Sequence, residues 1–144
     1  MKAALRSDFP VLREIQTRWS DNDHLGHVNN AVYYMYLDTA LNGWLMEATG
    51  TDTRELPDIA VVASNRCDYL APAAFPDVLQ VGLATTRIGR SSLTYRLGVF
   101  RESDAVLCAM AEFAHVYVDR ESRRPSQIPA IVRQAVSALP SWAP

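Results

Sequence analysis

Residues 21–46 read DNDHLGHVNNAVYYMYLDTALNGWLM, and the change of character inside this stretch decides how the chain is read. Its first ten residues hold two of the three histidines, three of the five asparagines and two aspartates. The remainder, 31–46, is almost unbroken apolar sequence. Tyr33, Tyr34, Met35, Tyr36, Leu37, Leu41, Trp44 and Leu45 point in nearly every direction around a helix, and a helix apolar all round is a buried one. The pattern predicts a helix from about Asn30 to Ala48, with Asn29 or Asn30 as N-cap and Gly50 as its stop.

On either side the period changes. Before it, VLREIQTRW (11–19) carries Val11, Ile15, Thr17 and Trp19 on one parity, which predicts a strand despite Arg13. After it, IAVVASNRCDYL (59–70) reads as a strand, and Pro72 and Pro76 mark a loop. VLQVGLATTRI (78–88) alternates with Leu79, Val81 and Leu83 on one face. Gly89 and Arg90 turn the chain into SSLTYRLGVFR (91–101), where Leu93, Tyr95, Leu97 and Val99 alternate again. Glu102 to Asp104 turn it into a long strand over 105–118, and IPAIVRQAVSAL suits a short C-terminal helix. One strand, a long helix and about four strands on short turns predict a single antiparallel α+β domain over residues 1–144, its sheet wrapped around one helix. One curved sheet covers such a helix only in part, so a second copy is expected to complete the cover.

Composition narrows the function. The chain has 144 residues, 49% apolar and 21% charged, with a net charge of -2, which leaves no electrostatic footprint for nucleic acid. No run approaches the roughly 18 apolar residues that cross a bilayer. MKAALRSDFP is broken by Arg6 and Asp8 and makes a poor signal peptide. Cys67 and Cys108 lie far apart without metal-type spacing, which fits reduced thiols in a cytoplasmic protein.

The polar stretch has several readings. Asp21-x-Asp23-x-x-Gly26 opens like a calcium loop, but Leu25 and Val32 stand at the fifth and twelfth positions, where ligands are required. His24-x-x-His27 lacks the further ligands of a catalytic zinc. Capping explains Asn29 and Asn30 but not Asp23, His24 and His27. A functional reading uses the helix start itself. Its free N–H groups and the positive end of its dipole can stabilise an oxyanion, and a nearby carboxylate can act as nucleophile or as general base for water. That combination suits acyl transfer. A purely structural Asp23, holding the loop through backbone N–H groups, is the competing reading.

Asp21-Asn22-Asp23-His24-Leu25-Gly26-His27-Val28-Asn29-Asn30, followed by Tyr33 or Tyr34 and the helix, resembles the hotdog-fold acyl-CoA thioesterases, in particular the 4-hydroxybenzoyl-CoA thioesterase-like group. DYLAPAAFPDVLQV (68–81) resembles the family's stretch between its second and third strands, so the likeness covers about residues 9–133. It implies a hotdog fold, with the helix as sausage and the sheet as bun, and a dimer often paired into a tetramer. It places Asp23 at the catalytic aspartate, three residues before Gly26. Asn30 falls where a backbone N–H polarises the thioester carbonyl. His27 matches a catalytic histidine of the related acyl-carrier-protein thioesterases. In those an asparagine lies two residues earlier, where this chain has Leu25, so His27 is the weaker match.

The resemblance also implies an acyl-CoA substrate, or an acyl-ACP one, and no separate cofactor or metal. Arg90 in GRSS, with Ser91 or Ser92, matches a position near the nucleotide. Arg124, five residues before Pro129, with Arg123 beside it, matches another that approaches phosphate; guanidinium groups suit such anions. Tyr33 and Tyr34 are candidates for the acyl pocket. The competing functions are a dehydratase or hydratase, whose His/Glu or Asp/His arrangement is not seen here, and a non-catalytic acyl-CoA sensor. Known regulatory hotdogs carry an added DNA-binding segment, for which this chain is expected to have no room.

Overall fold

The computed structural model describes residues 3–143. Strand β1 (Leu12–Gln16) leads through a 3-10 turn (Trp19–Asp21) to helix α1 (Asn30–Thr49), and then come β2 (Asp58–Tyr69), β3 (Val78–Ile88), β4 (Ser92–Arg101), β5 (Leu107–Asp119) and helix α2 (Ala130–Ser137). The five strands form one sheet in the order β1-β3-β4-β5-β2, antiparallel throughout. Alternation in β3 and β4 places Leu79, Val81, Leu83, Leu93, Tyr95, Leu97 and Val99 on the face that meets α1, all fully buried. The expected hotdog arrangement is present.

Within the single chain the sheet covers the helix only in part, as expected: Tyr33, Tyr36, Leu37, Ala40, Leu41, Trp44 and Leu45 are buried in 3–4 spacing, while Ala31, Met35, Asp38, Thr39 and Asn42 face outward. Tyr34 and Met35 blur the apolar stripe in sequence, but Tyr34 lies stacked on Phe113 at 6.0 Å and Met35 stays 58% exposed. Fully buried Val132 and Val136 of α2 join the same core.

The first strand is shorter than 11–19 because Thr17 leaves the ladder. Its N–H and hydroxyl both donate to the Asp77 carbonyl, at 3.2 and 2.5 Å. Asp21 then accepts the Arg18 N–H at 2.8 Å and closes the turn, which leaves Trp19 81% exposed.

The outer face of the sheet carries a second, smaller core. Gly82 and Gly98 are register partners, and the Phe9 ring lies over them, stacked on Trp142 at 5.2 Å and edge-on to Phe100 at 5.7 Å. A Cβ on Gly82 would fall 2.7 Å from the Phe9 Cβ and 2.8 Å from its Cδ1. Gly82→Ala therefore displaces a ring hemmed in by two others, and thermal unfolding should show a loss of about 1–3 kcal/mol.

Candidate active site

The polar stretch folds into a small hairpin closed on itself. Asn22 and Val28 bridge, the Asp23 N–H donates to the His27 carbonyl at 2.8 Å, and the Gly26 N–H donates to the Asp23 carbonyl at 3.0 Å. Gly26 takes φ 78°, a left-handed conformation that glycine reaches without steric cost. Within this turn Asp23 Oδ1 accepts the Leu25 N–H at 2.8 Å. Among the described residues, Oδ2 accepts nothing. Asp23 thus does what the structural reading requires and still keeps one carboxylate oxygen for chemistry.

The hairpin is sewn to the segment before β3. The Val28 N–H donates to the Ala73 carbonyl at 2.7 Å, and Asn22 Oδ1 accepts the Phe75 N–H at 3.1 Å. Asn29 is the N-cap of α1: its Oδ1 accepts the Ala31 N–H at 2.9 Å. Asn30, the first helical residue, has a backbone N–H with no acceptor among the described residues. Its carbonyl accepts the Tyr69 hydroxyl at 2.9 Å, which ties the end of β2 to the helix start. A hydrogen-bond donor and a free carboxylate oxygen therefore lie on one closed loop at the positive end of the helix dipole.

Asp21 is the residue that the reading of the sequence missed. It is 1% exposed, and its carboxylate accepts four hydrogen bonds: from the Arg18 N–H, from the Arg18 Nε and Nη2 at 3.1 and 3.0 Å, and from the Tyr36 hydroxyl at 2.5 Å. Burial opposes its ionisation, but the bonds from Tyr36 and Arg18 outweigh that and hold the carboxyl below its usual range. Burial, then Asp21, drives the Tyr36 phenol far up. The i,i+3 pairing of Arg18 with Asp21 was the only local signal for this residue; Tyr36 is fifteen positions away.

The other candidates fall in two places. His24 and His27 are exposed on the hairpin, and only the backbone of His27 is used there. Tyr33 is buried, edge-on to Tyr69 at 5.3 Å and to Tyr36 at 6.2 Å, with burial pushing its phenol up to about 12. It is a core wedge at the helix start, whereas half-buried Tyr34 keeps one side accessible.

Arg90, Ser91, Arg123 and Arg124 gather at the opposite end of the sheet. The Ser91 carbonyl accepts the Tyr117 N–H at 2.7 Å, and the Tyr117 carbonyl accepts the Ser126 N–H at 2.9 Å. The Arg90 carbonyl accepts the Ile128 N–H at 2.9 Å, and Arg123 sits in the turn after β5 at φ 62°. All three arginine side chains are solvent-exposed. The eleven residues of β3 separate them from the hairpin, on the order of 35 Å of strand. A single chain does not bring the proposed phosphate contacts to Asp23.

The arrangement matches a known family. The thioesterase-like superfamily matches residues 17–136. The chain belongs to that superfamily. This thioesterase-like chain is 45% identical to the PA5185 protein of Pseudomonas aeruginosa strain PAO1, covering 97% of this chain and 98% of that one with a TM-score of 0.91. It is 32% identical to a thioesterase of Thermus thermophilus solved with coenzyme A and Zn, covering 90% and 99% with a TM-score of 0.76. Slr0204, a 1,4-dihydroxy-2-naphthoyl-CoA thioesterase of Synechocystis, shares the fold at a TM-score of 0.82 and 20% identity over 89% and 96% of the two chains.

Family and fold together make the enzyme class thioester hydrolase. Among the described residues no cluster of three His, Cys, Asp or Glu side chains gathers, and no helix is long and apolar enough to cross a membrane.

Proposed function

We propose that this thioesterase-like protein hydrolyses an acyl-coenzyme A thioester to the free acid and coenzyme A. The observation that carries the reading is the hairpin itself, which holds a free Asp23 oxygen and leads directly into the unpaired Asn30 N–H at the helix start. The thioester carbonyl accepts from that N–H, and Asp23 acts on the carbonyl carbon in one of two ways. As a general base it takes a proton from water, whose oxygen adds to the carbon; collapse breaks the C–S bond and returns the proton to the thiolate. As a nucleophile it forms a mixed anhydride, expels the thiolate, and is released by water. Both routes place developing negative charge at the helix start. His27 lies on the same hairpin, exposed, at the position that resembles the histidine of the acyl-carrier-protein thioesterases.

Coenzyme binding requires a second copy. β2 is an edge strand twelve residues long, and residues 60–66 are exposed on both faces. An exposed edge of that length is a template for pairing. Antiparallel pairing of β2 with its own copy reverses one sheet against the other. The far end of the second copy, with its Arg90, Ser91, Arg123 and Arg124, then comes beside this chain's hairpin. The coenzyme phosphates are bound there by the second copy while Asp23 acts on the thioester. The working unit is a homodimer, with pairing into a homotetramer compatible with it. Half-buried Tyr34, stacked on Phe113 of β5, is the tyrosine left to line the acyl pocket.

The test is thiol release from short-chain, long-chain and aromatic acyl-coenzyme A thioesters. Turnover of at least one of them is expected. Turnover of carrier-bound thioesters alone would replace coenzyme A with acyl carrier protein as the substrate carrier. Binding without thiol release from any thioester would sink the catalytic reading.

A further inference from the structure

We infer that Asp21 is a positioning residue that sets the Asp23 carboxylate and the Asn30 N–H in register; this rests on the catalytic reading of those two groups. Both ends of the hairpin converge on it. Its carbonyl accepts the N–H of the N-cap Asn29 at 2.9 Å, where the hairpin leaves for the helix. Its carboxylate accepts the Arg18 N–H where the chain enters, and the Tyr36 hydroxyl from the second turn of α1. One residue therefore joins the turn before the hairpin, the cap after it and the body of the helix.

The body of the helix does not depend on this anchor. Leu37, Leu41 and Leu45 pack against the sheet through contacts that Asp21 does not touch. What the anchor controls is where the hairpin sits relative to the first turn. All of its side-chain partners are donors, so a carboxylate satisfies them and an amide does not. Asparagine at 21 keeps one oxygen but turns an NH2 group toward Arg18 N–H donors, of the backbone or the guanidinium, at a buried position. The hairpin must then shift or open, while the apolar core keeps its own reasons to stay folded.

The inference is tested with Asp21→Asn and Tyr36→Phe, by thiol release and by amide hydrogen exchange across residues 22–31. For Asp21→Asn, kcat is expected to fall 10- to 100-fold with KM within about twofold, because binding of the coenzyme lies elsewhere. Exchange in 22–31 is expected to rise at least tenfold, while β3 and β4 keep wild-type protection. Tyr36→Phe removes one hydroxyl from a buried site and gives a smaller change of the same kind; it carries the test if Asp21→Asn fails to fold.

Wild-type exchange and kcat in both variants would overturn the inference. So would loosening spread evenly over the sheet, which marks a general structural role. If wild type releases no thiol from any thioester, the catalytic reading fails, and the exchange pattern still decides whether Asp21 holds the hairpin.

Discussion

Asp23→Asn is expected to lower kcat for thiol release by about 100- to 10,000-fold, the range spanned by loss of a positioned general base, with its melting temperature close to that of wild type. The two halves of this expectation have separate causes. Asparagine keeps an oxygen that can accept the Leu25 N–H, so the turn that Asp23 Oδ1 closes at 2.8 Å survives. It loses the anionic oxygen, and an amide neither takes a proton from water nor attacks a carbonyl at neutral pH. The structural and chemical roles of the residue are thereby separated in one variant. Asp23→Ala removes both and should add a stability loss of about 1 kcal/mol on top of the rate effect. If Asp23→Asn instead keeps activity within a few-fold of wild type, the carboxylate only shapes the turn, and His27 becomes the residue to replace. Steady-state kinetics beside a thermal melt decides between these outcomes.

The second large effect is expected from Val62→Glu, far from the hairpin. Val62 lies near the midpoint of β2 and is 51% exposed. In an antiparallel pairing of β2 with its copy, the two residues at 62 come close across the twofold axis. Glutamates there repel one another and bring charge into a newly covered surface. The variant should sediment as a monomer at concentrations where wild type is a dimer. Its thiol release at subsaturating substrate should fall by at least tenfold, since on the proposed pairing each hairpin loses the arginines of the other copy. Added protein concentration should restore part of the activity, which a catalytic defect would not allow. A monomeric wild type with full activity would remove the second copy from the mechanism. Arg90, Ser91, Arg123 and Arg124 would then be ordinary surface residues, about 35 Å of strand away from the chemistry.

Much of the fold and part of the candidate site can be read in the residues themselves. The strict alternation of Leu79, Val81 and Leu83, and of Leu93, Tyr95, Leu97 and Val99, named two core strands and their inner faces, because side-chain direction in a strand follows directly from position. The helix bounds were legible in Asn29, whose side chain caps the first turn, and in Gly50, which takes φ 63° at the end. Family likeness singles out Asp23 and Asn30 as candidates, and the physics of a helix start explains why such residues gather there.

Other features depended on partners distant in sequence. Thr17 leaves the strand because a carbonyl sixty residues away, at Asp77, accepts both of its protons. Phe9 is buried because Gly82 and Gly98 leave it a slot that neither glycine announces. Asp21, in a stretch that resembled a broken calcium loop, is buried because Tyr36 and Arg18 close over it. The arginines that match coenzyme positions turn out to sit at the far end of the sheet. Local sequence determined the periodicities, the caps and the chemical types in the hairpin, since each rests on neighbours within a turn or a strand. Only the tertiary structure decided which carboxylate is buried and which is free, and which end of the sheet each charge occupies, because those depend on long-range hydrogen bonds and strand order that leave no period in the chain.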